Sequence, residues 1–320
     1  MNSAKDAAAP SVEYHQIDAT HAGQRLDNYL IANLKGVPRS HIYRILRKGE
    51  VRINRGRRTA DYRLKPGDTV RIPPLRRTMP RAAVAAADAL KALEARILYE
   101  DGHLIAVDKP AGWAVHGGSG VRLGVIETLR AARPRSRFLE LVHRLDRDTS
   151  GCLLIAKRRP VLLELHAQLR GGQIDKRYTA LLHGSWSEHA RRVDVPLEKY
   201  RLRSGERLVE VSAAGKDAAT RFVVKNVFAD STLVEIKLLT GRTHQARVHA
   251  SHIRHPIAGD PKYGDRDFNR QMRRLGLRRL FLHAAALGFH HPRDGEKMRI
   301  RAPLPAELSD LVQRLQYEAV

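Results

Sequence analysis

Apolar positions in the first quarter of the chain fall into helical and then strand spacings. Leu26, Tyr29, Leu30 and Leu34 recur at three- and four-residue intervals, which predicts a helix. A second helix is expected to be capped by Ser40 and ended by Gly49, which tolerates a left-handed conformation. Within it Ile42, Ile45 and Leu46 share an apolar face, and Arg44, Arg47 and Lys48 lie opposite. Short strands are expected at 51–53 and 69–72, the second after the turn Pro66-Gly67-Asp68. Residues 1–20 show no periodicity and read as a disordered tail. The expected boundaries are 21–78 for this small αα-β module, 79–96 for a Pro- and Ala-rich linker, and 97–320 for a second domain.

From residue 97 the pattern changes to apolar runs of strand length. Ile97 to Tyr99 and Leu104 to Val107 flank Asp101-Gly102, a hairpin signal. Further strands are expected at Phe138 to Val142, Cys152 to Ala156, Tyr178 to Leu182, Thr220 to Val227 and Leu233 to Leu238. Helical spacing appears at Gly124 to Ala132, Pro160 to Leu169, Thr243 to His252 and Glu307 to Leu315. Strands outnumber helices without regular alternation. The expected class is therefore α+β, a mixed and largely antiparallel sheet with helices packed on it.

Charge adds what periodicity cannot. The chain of 320 residues carries 58 Lys and Arg against 34 Asp and Glu, a formal net charge of +24. Such an excess suits a polyanion, because each neutralised phosphate releases condensed counterions. Half of it lies in residues 24–85, with 16 basic and 4 acidic side chains. One cysteine, Cys152, excludes a disulfide framework and a thiolate-rich metal site. The first sixteen residues lack an apolar run, so no signal peptide is expected; no stretch is long enough for a membrane span. A cytoplasmic location and a monomer are the expectations.

Two polar clusters interrupt the apolar pattern. His143-Arg144-Leu145-Asp146-Arg147-Asp148-Thr149-Ser150-Gly151 sits between two strand candidates, so its loop is anchored to the sheet, where catalytic groups tend to lie. Thr240 to His249 runs from a Gly turn into a helix and carries Arg242 and Arg247. His244, His249, His252 and His255 invite a metal, but no Cys and no His-Glu-x-x-His accompanies them, so no metal is expected. Lys176 and Arg177 precede Tyr178 at a strand start. Lys109-Pro110 and the run Gly117 to Gly120 could cradle phosphate, yet no nucleotide-binding Gly pattern is present. No nucleotide cofactor is expected.

Taken together, residues 143–151 resemble the signature of the RluA-type pseudouridine synthases. Leu98 to Lys109-Pro110, Val115-His116-Gly117-Gly118, Lys176-x-Tyr178-x-Ala180, Thr240 to Gln245, His255-Pro256-Ile257 to Tyr263-Gly264-Asp265 and Leu282-His283-Ala284 recur there in the same order. The N-terminal module resembles the S-four-type RNA-binding domain, and its segments 34–38 and 42–51 are most similar to members acting on 23S ribosomal RNA. The resemblance implies cofactor-free isomerisation of uridine in RNA. It implies that Asp146 is the catalytic carboxylate, with Asp148 a structural acceptor for its own loop. A closed pocket disfavours a lone ionised carboxylate, so a cation is required, and Arg247 is the implied one. At about 4 Å and an effective dielectric near 20, such a pair gains about 4 kcal/mol. Tyr178 is implied to stack on the extruded base and to assist loss of the C5 proton. Arg144 is implied to fill the gap left by that base, Arg242 and Lys176 to hold phosphate or the loop, and Leu282 to close the pocket floor. Arg44, Arg47 and Lys48 would grip the RNA backbone. Rival readings are a sibling synthase acting on other ribosomal or transfer RNA uridines, a non-catalytic ribosome-assembly factor, and a phosphoryl-transfer enzyme using the histidines.

Overall fold

The computed structural model describes residues 11–34, 37–75, 90–117, 124–136, 138–201 and 207–317. The chain divides into two units, Met1–Ala85 and Ala86–Val320. Residues 79–89 of the expected linker and Gly118 to Gly120 lie outside the described residues.

In the first unit Leu26, Leu30, Leu34, Ile42, Ile45, Ile53 and Val70 form one buried core. Helices Leu26–Asn33 and Arg39–Arg47 pack on a three-stranded antiparallel sheet. Its strands are β1 (Glu13–Gln16), β2 (Arg52–Ile53) and β3 (Thr69–Ile72), in the order β1-β3-β2. Strand β1 corrects the expected tail: Glu13 pairs with Ile72 and Gln16 with Thr69, and Ile17 is buried just beyond. Its residues Glu-Tyr-His-Gln carry almost no apolar signal, so only pairing reveals the strand. The second helix begins at Arg39, with Pro38 at its cap position. Ser40 therefore lies inside the first turn and caps nothing, whereas Gly49 does take a positive φ of 66°.

The second unit is built on a ten-stranded sheet. In chain order its strands are β4 (Ile97–Glu100), β5 (Leu104–Lys109), β6 (Glu140–Leu141), β7 (Ser150–Ala156), β8 (Asp175–His183), β9 (Ala190–Asp194), β12 (Ala219–Val227), β13 (Ser231–Leu238), β14 (Leu282–His290) and β15 (Lys297–Arg301). A separate hairpin pairs β10 (Leu197–Arg201) with β11 (Arg207–Val211). The main path runs β4-β5-β7-β14-β8-β13-β12-β9, with β6 added to β7 and β15 to β14. Among the described residues every pairing in this sheet is antiparallel except β7 with β14, which is parallel.

Both faces of the sheet centre are buried. Ile105, Val107, Leu153 and Ile155 enter one core, while Leu104, Ala106, Cys152, Leu154 and Ala156 enter another. This is the period-two alternation of a pleated strand, with apolar residues on both faces. Leu93, in a helical turn at 90–94, joins the first of these cores, so the unit's packing begins before the expected boundary at 97. The expected hairpin forms, with Glu100 of β4 opposite Ile105 of β5, and a side chain closes its 101–103 turn. Asp101 Oδ1 accepts the backbone N–H groups of His103 and Leu104, both at 2.8 Å, and Gly102 needs no positive φ.

Candidate active site

The loop 143–149 joins β6 to β7, and its two ends are pinned to β7. Leu141 pairs with Ile155, and Val142 donates its N–H to the Leu154 carbonyl at 3.0 Å. The Leu154 N–H in turn donates to His143 Nε2 at 3.1 Å. Burial, with Lys176 nearby, pushes the His143 imidazole down to about 4, so it stays the neutral acceptor this bond needs. At the far end of the loop Gly151 has φ +109°, and a Cβ there would meet the Ala284 carbonyl oxygen at 2.3 Å. Only glycine allows β14 to come this close, and Gly151 pairs with Ala284 in the parallel ladder.

A third support was not legible in the sequence. The Lys109 side chain is wholly buried, and its Nζ donates to the carbonyls of Pro110 (2.8 Å), Trp113 (2.8 Å) and Arg147 (3.0 Å). Gly112 N–H also donates to the Arg147 carbonyl, and Arg147 Nε donates back to the Gly112 carbonyl at 3.0 Å. Lys109-Pro110 is thus a staple for the loop, not part of a phosphate cradle. Burial pushes the Lys109 ammonium down to about 7. Asp148, expected to accept hydrogen bonds within the loop, is exposed; Thr149 N–H bonds instead to the Asp146 carbonyl at 3.2 Å.

These supports leave Asp146 facing a cleft of about 580 Å³, with its side chain 19% exposed. Arg247 Nη1 lies 3.6 Å from Asp146 Oδ2, and His244 Nε2 lies 3.8 Å from the same oxygen. Arg247 comes from helix Gln245–His252 and is itself held by a second carboxylate. Its Nε donates to Asp260 Oδ2 at 2.7 Å and its Nη2 to Asp260 Oδ1 at 2.8 Å. Asp260 also accepts the N–H groups of Lys262 and Tyr263. The fork of Arg247 is therefore fixed on one edge, leaving Nη1 for Asp146. The Tyr263 ring covers the Arg247 guanidinium, with Cζ 5.0 Å from its centroid. The Tyr263 hydroxyl is 2.8 Å from His244 Nδ1. Burial pushes the His244 imidazole down, and the Asp146 charge opposes that. His244 adopts a left-handed φ of 53°, so Arg242 precedes the helix rather than lying on it.

Tyr178, Arg144, Arg242, Lys176 and Leu282 line the same cleft as Asp146 and Arg247. Tyr178, on β8, is 8% exposed, and its hydroxyl bonds to no described residue. Burial pushes its phenol up, with the Asp146 charge adding to this, so it offers a neutral ring. Lys176 donates to the Thr240 carbonyl at 3.2 Å, and burial lowers its ammonium. Arg242 is exposed and donates through Nε to the Asp217 carbonyl at 3.0 Å; Arg144 is exposed at the rim. Arg44 and Arg47 on the second helix and Lys48 just after it lie in the first unit, all exposed. Asp260 and Tyr263 had no assigned role before folding, because each is one residue of a turn with no periodic neighbours. The histidines do not converge: His249 bonds Thr220 and the Val195 carbonyl, and His255 the His183 carbonyl.

Residues 103–252 match the RNA pseudouridylate synthase family, and residues 24–70 match the S4 domain. The chain is 53% identical over 312 residues to ribosomal large subunit pseudouridine synthase C of Yersinia pestis, covering 97% of this chain and 98% of that one. It is 55% identical over 312 residues to the protein of the same name from Escherichia coli (strain K12), covering 96% and 98%. Among solved structures, human RNA pseudouridylate synthase domain containing 4 is similar with a TM-score of 0.61 and 28% identity, over 72% of this chain and 97% of that one. The carboxylate–arginine cleft thus sits in a chain that belongs to the RluA-type RNA pseudouridine synthases, isomerases acting on RNA uridines, with an S4 domain at its N-terminus.

Proposed function

We propose that the chain converts specific uridines of large-subunit (23S) ribosomal RNA to pseudouridine, with Asp146 as the catalytic carboxylate. The observation that carries this reading is Asp146 lining the cleft, 3.6 Å from an arginine whose other edge is locked on Asp260. The near full-length similarity to large-subunit synthases supports the choice of RNA.

In this reading the target uridine leaves its stem or loop, at a cost of a few kcal/mol. Its base stacks on Tyr178, which returns about 1–3 kcal/mol. Arg144, exposed at the rim, fills the space the base has left. The Asp146 carboxylate acts at the ribose, as nucleophile or base, while Arg247 keeps it ionised. The bond from N1 to the ribose C1′ breaks, uracil turns against Tyr178 and Leu282, C5 bonds to C1′ and gives up its hydrogen as a proton, and N1 takes up a proton. Bond energy stays within one nucleotide, so the isomerisation consumes no cofactor. Arg242 and Lys176 hold the adjoining phosphates or the loop, and Arg44, Arg47 and Lys48 of the S4 domain hold more distant ones. The protein acts as a cytoplasmic monomer. Among the described residues no helix is long and apolar enough to cross a membrane.

The test is hydrogen release from C5-tritiated 23S transcripts. Asp146→Asn should bind RNA as before and release no tritium; release at the unmodified rate would end the assignment. Pseudouridine mapping in ribosomal RNA from cells lacking the protein should show the missing positions. Loss confined to transfer RNA would favour the sibling reading.

A further inference from the structure

Helix Arg266–Arg274, with the sequence Arg-Asp-Phe-Asn-Arg-Gln-Met-Arg-Arg, has a role in neither the fold core nor the cleft that accounts for its charge. Phe268 and Met272 are buried in a core with Leu181, Phe281 and Leu308. Four residues apart, they fix which face points inward. Arg266, Arg270, Arg273 and Arg274 are all exposed on the remaining surface. The spacing 266, 270, 273 and 274 makes them neighbours on one stripe. Asp267 touches this stripe, its Oδ1 3.1 Å from Arg270. Among the described residues no carboxylate pairs with Arg266, Arg273 or Arg274.

A solvated helix face explains part of this. Arginines in the last turn suit the helix dipole, which accounts for Arg273 and Arg274. Arg266 stands at the first helical position, where the dipole disfavours a cation, so helix stability does not call for it. The helix is also rigidly tied to the active site. Asn269 Oδ1 accepts the Gly259 N–H at 2.7 Å, and Asn269 Nδ2 donates to the Asp260 carbonyl at 2.9 Å. Asp265 caps the helix by accepting the Phe268 N–H at 2.7 Å. Asp260 holds Arg247, so anything bound to this helix has a set geometry relative to Asp146.

We propose that the arginine stripe of helix Arg266–Arg274 is a further RNA-backbone site, one that grips phosphates beyond the target stem-loop and sets its register. This rests on the reading of the protein as an RNA-modifying enzyme. Guanidinium groups in a row, lacking acidic partners, complement a phosphate chain, and phosphate contacts position RNA without reading its sequence. The site belongs to the catalytic unit itself and is separate from the S4 domain.

The experiment compares the full-length protein with Arg266→Gln/Arg270→Gln/Arg274→Gln on two tritiated RNAs, a minimal stem-loop and a fragment extending well beyond it. On the long fragment the variant should raise KM at least several-fold, with kcat unchanged. Its log–log salt slope of binding should flatten by about 2–3, close to one for each guanidinium replaced. On the minimal stem-loop both proteins should behave alike. Unchanged KM and slope on the long fragment would overturn the proposal, including the case in which the stripe docks a protein. Equal losses on both RNAs would overturn its placement beyond the stem. Failure of the wild-type protein to release tritium from either RNA would instead sink the functional reading. A melting temperature equal to that of the wild type shows that the variant is folded.

Discussion

Asp260 is the residue on which the charge balance of the cleft turns. Arg247 is 4% exposed at its side chain and Asp260 0%, so each needs the other to stay charged in the interior. Asp260→Ala should destabilise the protein by about 3–5 kcal/mol in urea unfolding, because it strands a buried guanidinium. A loss below about 1 kcal/mol would mean that Asp146 alone can neutralise Arg247. A second residue-scale prediction concerns pH. His283 is wholly buried in a chain of hydrogen bonds from Arg279 Nη2 to Ser150 Oγ, from Ser150 to His283 Nδ1, and from His283 Nε2 to the Ala302 carbonyl. Burial pushes its imidazole down to about 4. Above about pH 6.5 folded and unfolded chains both hold it neutral. Below that the unfolded chain gains a proton that the folded one refuses, so stability falls as pH drops towards 4. The loss is about 3 kcal/mol. Urea midpoints at pH 7.5 and 4.5 should therefore fall further for the wild type than for His283→Gln.

At the scale of elements, the 143–149 loop depends on strands that differ in how visible they are beforehand. Its own flanks were legible, since apolar runs on either side of 143–151 mark a sheet-anchored loop. The resemblance then singled out Asp146, Tyr178 and Arg247, which the fold brings to one cleft. Strand β14 was not legible: Leu-His-Ala-Ala-Ala-Leu-Gly reads as well for a helix, and only burial on both faces of a sheet makes it a strand. Lys109 escaped for a similar reason, because a lysine ending an apolar strand normally points to water. Glu13–Gln16 was missed because polar side chains on an edge strand leave no periodic trace. The junction of β7 and β14 gives the sharpest test. Gly151→Ala should cost several kcal/mol, since Gly151 has a positive φ and the new methyl must displace the Ala284 backbone. Melting temperature and tritium release should fall together; a stable, inactive variant would show that the loop moves without the sheet.

The whole molecule separates an RNA-holding unit from an RNA-modifying one. Each has its own core: the Ile17–Ile72 cluster belongs to the first unit, and the four other clusters to the second. A chain lacking residues 1–85 should therefore fold and keep turnover on a minimal stem-loop at saturating RNA. Its binding should show a salt slope flatter by about 3–5, corresponding to about five phosphates. A slope unaffected by the deletion would place the main grip in the catalytic unit.

The parallel pairing in the large sheet, between Ser150-Gly151 and His283-Ala284, has a temporal meaning as well. The strand that seats the 143–149 loop is made more than a hundred residues after the loop itself. Such distant partners meet late in folding. A nascent chain that has not yet released residue 284 carries the whole loop but has nowhere to lean it. The loop can therefore take its folded seat only after residue 284 has been made.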